Sequence, residues 1–105
     1  MSGLDNTSYT IRSVTAATTL TNTDSILLCQ PSGGAFTVTV PLASSVQPGR
    51  NFVVRSTGTT NAVTISRSGS DTINGGTSVS LASGAVSAAE LYTDGTNWFT
   101  LGTSV

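Results

Sequence analysis

Lysine and histidine are missing from this 105-residue chain, and cysteine, methionine and tryptophan occur once each. Without histidine no Ser-His-Asp or Cys-His pair can form, so the many serines and the one thiol lack the usual base that would activate them. A single cysteine, Cys29, excludes an intrachain disulfide and a thiolate zinc cluster. It ends the apolar run Ile26-Leu27-Leu28-Cys29, where it reads as a small buried hydrophobe. Charge is scarce too: Asp, Glu, Lys and Arg make up 9% of the residues, against about 25% in ordinary domains. The four arginines, Arg12, Arg50, Arg55 and Arg67, are scattered, and the net charge is −1. Nucleic-acid binding needs a clustered basic footprint, so it is not expected. No apolar run approaches the roughly 20 residues of a membrane-spanning helix, so membrane insertion is not expected either. The opening M-S-G-L-D-N-T-S has neither the basic nor the apolar region of a secretory leader.

What the chain has in abundance is hydroxyl: Ser and Thr supply about a third of it. Mean hydropathy is nonetheless positive, +0.16. Soluble surfaces ordinarily rely on charge. Hydroxyls therefore do much of the solvating here, and part of the surface is expected to be buried between subunits. Strand signals are frequent. Phe36, Val38 and Val40 alternate with Thr37 and Thr39, the period of a half-buried strand. Further strands are predicted at Tyr9–Arg12, Ser25–Cys29, Asn51–Ser56, Ala62–Ser66, Val79–Leu81, Ala85–Thr93 and Trp98–Leu101. Gln30–Gly34, Pro48-Gly49, Asn74-Gly75 and Asp94-Gly95 are turn signals. The stretch 57–61 reads as the loop of a hairpin, and Ala43–Gln47 as the one segment able to form a helical turn. Short strands with turns about every ten residues predict an all-β fold: a small antiparallel β-sandwich or barrel-like domain of about eight short strands. Residues 1–8 are expected to be a flexible lead-in or anchor, and 9–105 a single β domain.

Five stretches carry a likeness. They are V-T-V-P-L at Val38–Leu42, P-G-R-N-F-V-V at Pro48–Val54, A-V-T-I at Ala62–Ile65, D-T-I-N-G-G at Asp71–Gly76 and Y-T-D-G-T-N-W-F-T-L at Tyr92–Leu101. In this order, over residues 8–102, the chain resembles the small all-β domains of bacteriophage virion proteins, of the tail-fibre and capsid-decoration type. The resemblance implies a non-enzymatic structural protein, a homotrimer located in the virion and assembled in the cytoplasm of a host bacterium. On a chain this short it favours capsid decoration, cement or head fibre over a tail-fibre module. Its implied partners are two further copies of the chain and other virion proteins, the major capsid or tail proteins; a host surface glycan is the alternative.

No catalytic group and no cofactor or metal site is expected. The acids are Asp5, Asp24, Asp71, Glu90 and Asp94. Three of them, Asp24, Asp71 and Asp94, sit at turns, where such side chains cap the local backbone. Glu90, within S-A-A-E-L-Y, could face inward. No two acids form the carboxylate pair that glycoside hydrolysis uses, and no run has the spacing of a calcium loop. The candidate interface or ligand-platform residues are Tyr92, Trp98, Phe99, Arg50 and Arg55. Alternation places Trp98 and Phe99 on opposite faces of their strand, so one belongs to the core and the other is free to meet a subunit or a sugar.

Overall fold

A computed structural model describes residues 11–21, 23–57, 61–81 and 87–103, with side chains for all of these except 87 and 101–103. The expected N-terminal lead-in, 1–8, lies outside the described residues. Nine strands are described: β1 (Ile11–Val14), β2 (Thr18–Thr19), β3 (Ile26–Cys29), β4 (Phe36–Thr39), β5 (Asn51–Ser56), β6 (Val63–Ser66), β7 (Ser78–Leu81), β8 (Ser87–Thr93) and β9 (Trp98–Thr103). Single 3₁₀ turns occupy Pro31–Gly33 and Ala43–Ser45. The all-β expectation therefore holds, and the segment read as a possible helical turn forms one.

The connectivity differs from the antiparallel expectation. One sheet has five strands in the order β1-β3-β5-β8-β9, the other four in the order β2-β4-β6-β7. The chain alternates between them, so β1, β3 and β5 are parallel, as are β2, β4 and β6. A parallel pair needs a long crossover. Here each crossover passes through a strand of the opposite sheet, and the first six strands wind as three stacked coils. Only β7, β8 and β9 turn back to pair antiparallel. The hairpin expected across 57–61 is thus absent: β5 and β6 lie in different sheets. Gly-containing loops serve a crossing between sheets as readily as a hairpin, and the buried residues of both flanking strands are satisfied either way.

The two turns with the clearest local chemistry form as expected. Asn74 and Gly75 both have positive φ, 53° and 82°, as a type I′ turn requires. Ile73 and Gly76 exchange both backbone hydrogen bonds at 2.9 Å. Asp94–Asn97 joins β8 to β9, where the Asp94 carboxylate accepts the Thr96 and Asn97 N–H groups at 2.9 Å each. Those bonds hold the Asp94 carboxyl below the ordinary carboxylate range.

The inward residues of both sheets form one core. Phe52, Val54, Leu27, Ala89 and Leu91 come from the five-stranded sheet; Val38, Val63, Ile65 and Leu81 come from the four-stranded one. Trp98 is fully buried, tilted against Phe52 with ring centroids 5.6 Å apart, and its Nε1 donates to the Pro41 carbonyl at 3.0 Å. Cys29 is buried, and burial pushes its thiol pKa up to about 11. Its in-register neighbour Ser56 is also fully buried, and the Ser56 hydroxyl has no hydrogen-bond partner among the described residues. An orphaned hydroxyl in an apolar core is unfavourable. Ser56→Ala should therefore raise the unfolding free energy by about 1 kcal/mol, read as a Tm several degrees higher in a thermal melt.

The first coil closes its end of the core with an ion pair beside the apolar Val14 and Leu20. Arg12 occupies the inward column of the sheet, in register with Leu27. Its guanidinium donates to Asp24 at 3.0 and 2.8 Å, to Thr18 Oγ1 at 3.1 Å and to the Thr19 carbonyl at 3.1 Å. It thereby ties β1 to β2 and to the connection that leads into β3. Inward-pointing charge at a terminal strand also discourages edge-to-edge pairing. Burial alone pushes the Asp24 carboxyl up, but the Arg12 hydrogen bonds and charge and the Thr21 hydroxyl and N–H outweigh it, and its net pKa lies below the ordinary 3.8.

Candidate functional site

The two sheets present outer faces of opposite chemistry. On the four-stranded sheet the outward positions are Thr37, Thr64 and Ser80 in one row and Thr19, Thr39, Ser66 and Ser78 in the next. Every one carries a hydroxyl, and the apolar residues between them point to the core. This is the pattern of a sheet with one face in water.

The outer face of the five-stranded sheet is different. Strand register lines up Ile11, Ile26, Val53 and Glu90 in one row, and Ser13, Leu28, Arg55 and Ala88 in another. A third row holds Asn51, Tyr92 and Phe99. Ile11 is 63% exposed; Ile26, Leu28, Val53, Tyr92 and Phe99 are half-buried. Tyr92 and Phe99 pack with ring centroids 5.5 Å apart. Large apolar side chains thus recur across this face between Ser13, Arg55, Glu90 and Asn51, and extended exposed apolar patches are uncommon on free monomers.

The candidate residues separate cleanly on this frame. Tyr92, Phe99 and Arg55 lie on the outer face, and Arg55 is exposed. Trp98 belongs to the core and Phe99 to the outside, as alternation requires. Arg50 is drawn away from the face. Its guanidinium stacks on the core residue Phe52, 4.1 Å from the ring centroid, and donates to the Asp24 and Asn51 carbonyls. Burial pulls the Arg50 pKa down and the Asp24 charge works the other way.

The sequence matches no protein-family model, no curated protein and no solved structure. The chemistry of the face therefore has to speak for itself.

Among the described residues no three His, Cys, Asp or Glu side chains gather as a metal site would require. Each described acid has a structural partner. Asp24 binds Arg12, Asp71 accepts the Ala43 N–H at 2.7 Å across the fold, Asp94 caps its own turn, and Glu90 accepts from Asn51 Nδ2 at 3.1 Å. The expected local capping describes Asp94 well. It describes Asp71 and Asp24 less well, since their main partners are distant in sequence. Glu90, read from the sequence as able to face inward, points outward opposite Val53, and is 9% exposed. A shallow groove between 15–17 and 33–37 is lined by Ala16, Ala17, Gly34 and Phe36 among others, with no titratable side chain. Sequence reasoning did not single out Ile11, Ile26, Leu28 and Val53 as face residues. The signal was the unbroken apolar run of β3, which takes Ile26 and Leu28 outward while Leu27 and Cys29 go to the core.

Proposed function

We propose that this chain is a non-enzymatic structural protein of a bacteriophage particle, acting as a homotrimer that decorates or stabilises the shell. The observation that supports it most is the contrast between the two outer faces. A hydroxyl-covered sheet faces solvent. An apolar sheet, joined to a chain with 9% charged residues, is suited to be covered by further copies. Three such faces turned together form an intersubunit core, which a closed cyclic arrangement completes without leaving an edge. The finer architecture belongs to the same reading: the two sheets are the layers of a small sandwich, and the apolar outer layer is turned toward the trimer axis. The ordered motifs of the sequence support the virion setting.

The function is passive. No substrate is turned over; the protomers bury apolar area against one another, and the trimer as a unit grips other virion proteins. Light scattering coupled to size exclusion tests the assembly: a mass near three chains at micromolar concentration is expected, and a monodisperse monomer contradicts it. Immunogold labelling of purified particles tests the setting, with label on the shell as the expected result and its absence from particles as the contrary one.

A second reading is favoured by the Tyr92–Phe99 pair. Two packed aromatic rings on an outer face can stack on the apolar face of a sugar, so a tail-fibre or receptor-binding tip that recognises a host surface glycan is the alternative.

A further inference from the structure

Glu90 is unusual on the outer face of the five-stranded sheet. As a residue Glu90 is 9% exposed, and it lies in a row with Ile11, Ile26 and Val53. Asn51 Nδ2 holds Oε2 at 3.1 Å; among the described residues no donor reaches Oε1. No cation pairs with it, since the ion pair of the described residues is Arg12–Asp24. A carboxylate on a largely buried residue in an apolar row is stabilised by a matching charge and further hydrogen bonds.

The matching charge is on the same face. Arg55 is exposed and lies opposite Ala88 on β8, one alternation from Glu90. Val53 opposite Glu90 and Arg55 opposite Ala88 make Arg55 and Glu90 diagonal neighbours, with Cβ atoms about 7–8 Å apart at such positions. The two side chains do not pair within the protomer. One face thus offers the carboxylate of a largely buried residue and an exposed guanidinium amid apolar residues, and it is complementary to itself.

We propose that Arg55 of one copy pairs with Glu90 of the next, so that the Glu90 site is completed only by a second copy of this chain. This rests on the self-association put forward above and adds its register. The planar guanidinium can supply the donors that Oε1 lacks, in the forked geometry that carboxylates accept. Each copy gives an arginine to one neighbour and a glutamate to the other. Such a head-to-tail contact forms a ring when the rotation between copies closes, and a closed ring of three copies would contain three equivalent pairs. Charge pairs inside an apolar contact set orientation and register more than they set affinity, which is what a flat apolar face needs in order to assemble in one way.

The test is sedimentation velocity over a concentration series on the full chain, with circular dichroism as the check of folding. The wild type, Arg55→Glu, Glu90→Gln, Glu90→Arg and the exchanged double variant Arg55→Glu/Glu90→Arg are compared. Each single variant should raise the concentration at half-assembly by about tenfold or more, and the exchange should recover most of the loss. Arg55→Glu changes an exposed side chain and Glu90→Gln keeps size and the Asn51 hydrogen bond, so these two decide the matter if Glu90→Arg fails to fold. An assembled wild type whose Arg55→Glu and Glu90→Gln variants assemble at the same concentration would overturn the pairing while leaving self-association standing. A wild type that stays monomeric throughout would overturn both.

Discussion

Trp98→Ala should lower the unfolding free energy by about 3–5 kcal/mol, the range for deleting a large aromatic from a packed core. The side chain is fully buried, packs on Phe52 and anchors the Pro41 carbonyl through its indole N–H. It also fastens β9 to the turn at Ile73, through an isolated bridge from Ile73 to Trp98. Total stabilities of small domains run about 5–15 kcal/mol, so the variant stands near the edge of folding. Urea denaturation measures the loss. Trp98→Phe keeps part of the packing, removes the hydrogen bond and a smaller share of the buried ring area, and leaves the Pro41 carbonyl without this donor. Its loss should be clearly smaller than that of Trp98→Ala. Equal losses would mean that the indole N–H, not the buried ring area, dominates at this position.

The second large effect is expected at the first coil. Arg12→Ala should destabilise by about 2–3 kcal/mol at neutral pH. Breaking a buried pair from one side costs about 3–5 kcal/mol, and the 38% exposure of the Arg12 side chain moderates it. Asp24, 4% exposed at its side chain, would keep its Thr21 hydrogen bonds and the neighbouring Arg50 charge but lose the two direct hydrogen bonds from Arg12. The pH dependence follows from the direction of the Asp24 shift. Its folded pKa lies below 3.8, the value expected when unfolded. As pH falls the unfolded chain therefore takes up the proton first, and stability is lost. The contribution is whole at pH values well above 3.8 and drains as pH drops through the lower, folded pKa. The gap between wild type and Arg12→Ala should accordingly narrow below about pH 4. Denaturant midpoints measured across the acid range show this; a gap that stays constant down to the acid limb would place the effect of Arg12 in packing rather than in its charge.

Local features were legible in the sequence because local chemistry decides them. The alternation in Phe36–Val40 gives β4. Asn74-Gly75 adopts the positive φ values that few other pairs tolerate, and Asp94 caps the turn between β8 and β9. The winding was not legible. Ile11, Ile26 and Val53 occupy one column, but the chain from Ile26 to Val53 is nearly twice as long as that from Ile11 to Ile26, so no period repeats. Alternation along a strand says which residues share a face and nothing about which sheet the strand joins. The outer apolar face was legible only in part. Tyr92, Phe99 and Arg55 stood out as single residues, whereas their meeting with Ile11, Ile26, Leu28 and Val53 depends on long-range register. Glu90 and Arg12 went against residue type: the glutamate points outward yet is 9% exposed as a residue, and the arginine points inward at the end of the core, where Thr18 and Thr19 of β2 and Asp24 of the connection into β3 receive it.

The most direct measurement is sedimentation equilibrium of three proteins: the wild type, Val53→Asp on the apolar outer face and Thr64→Asp on the hydroxyl face. A trimer for the wild type and for Thr64→Asp, with a folded monomer for Val53→Asp, is the predicted outcome. A monomeric wild type, or a Val53→Asp protein that remains as fully assembled as the wild type, would contradict the account.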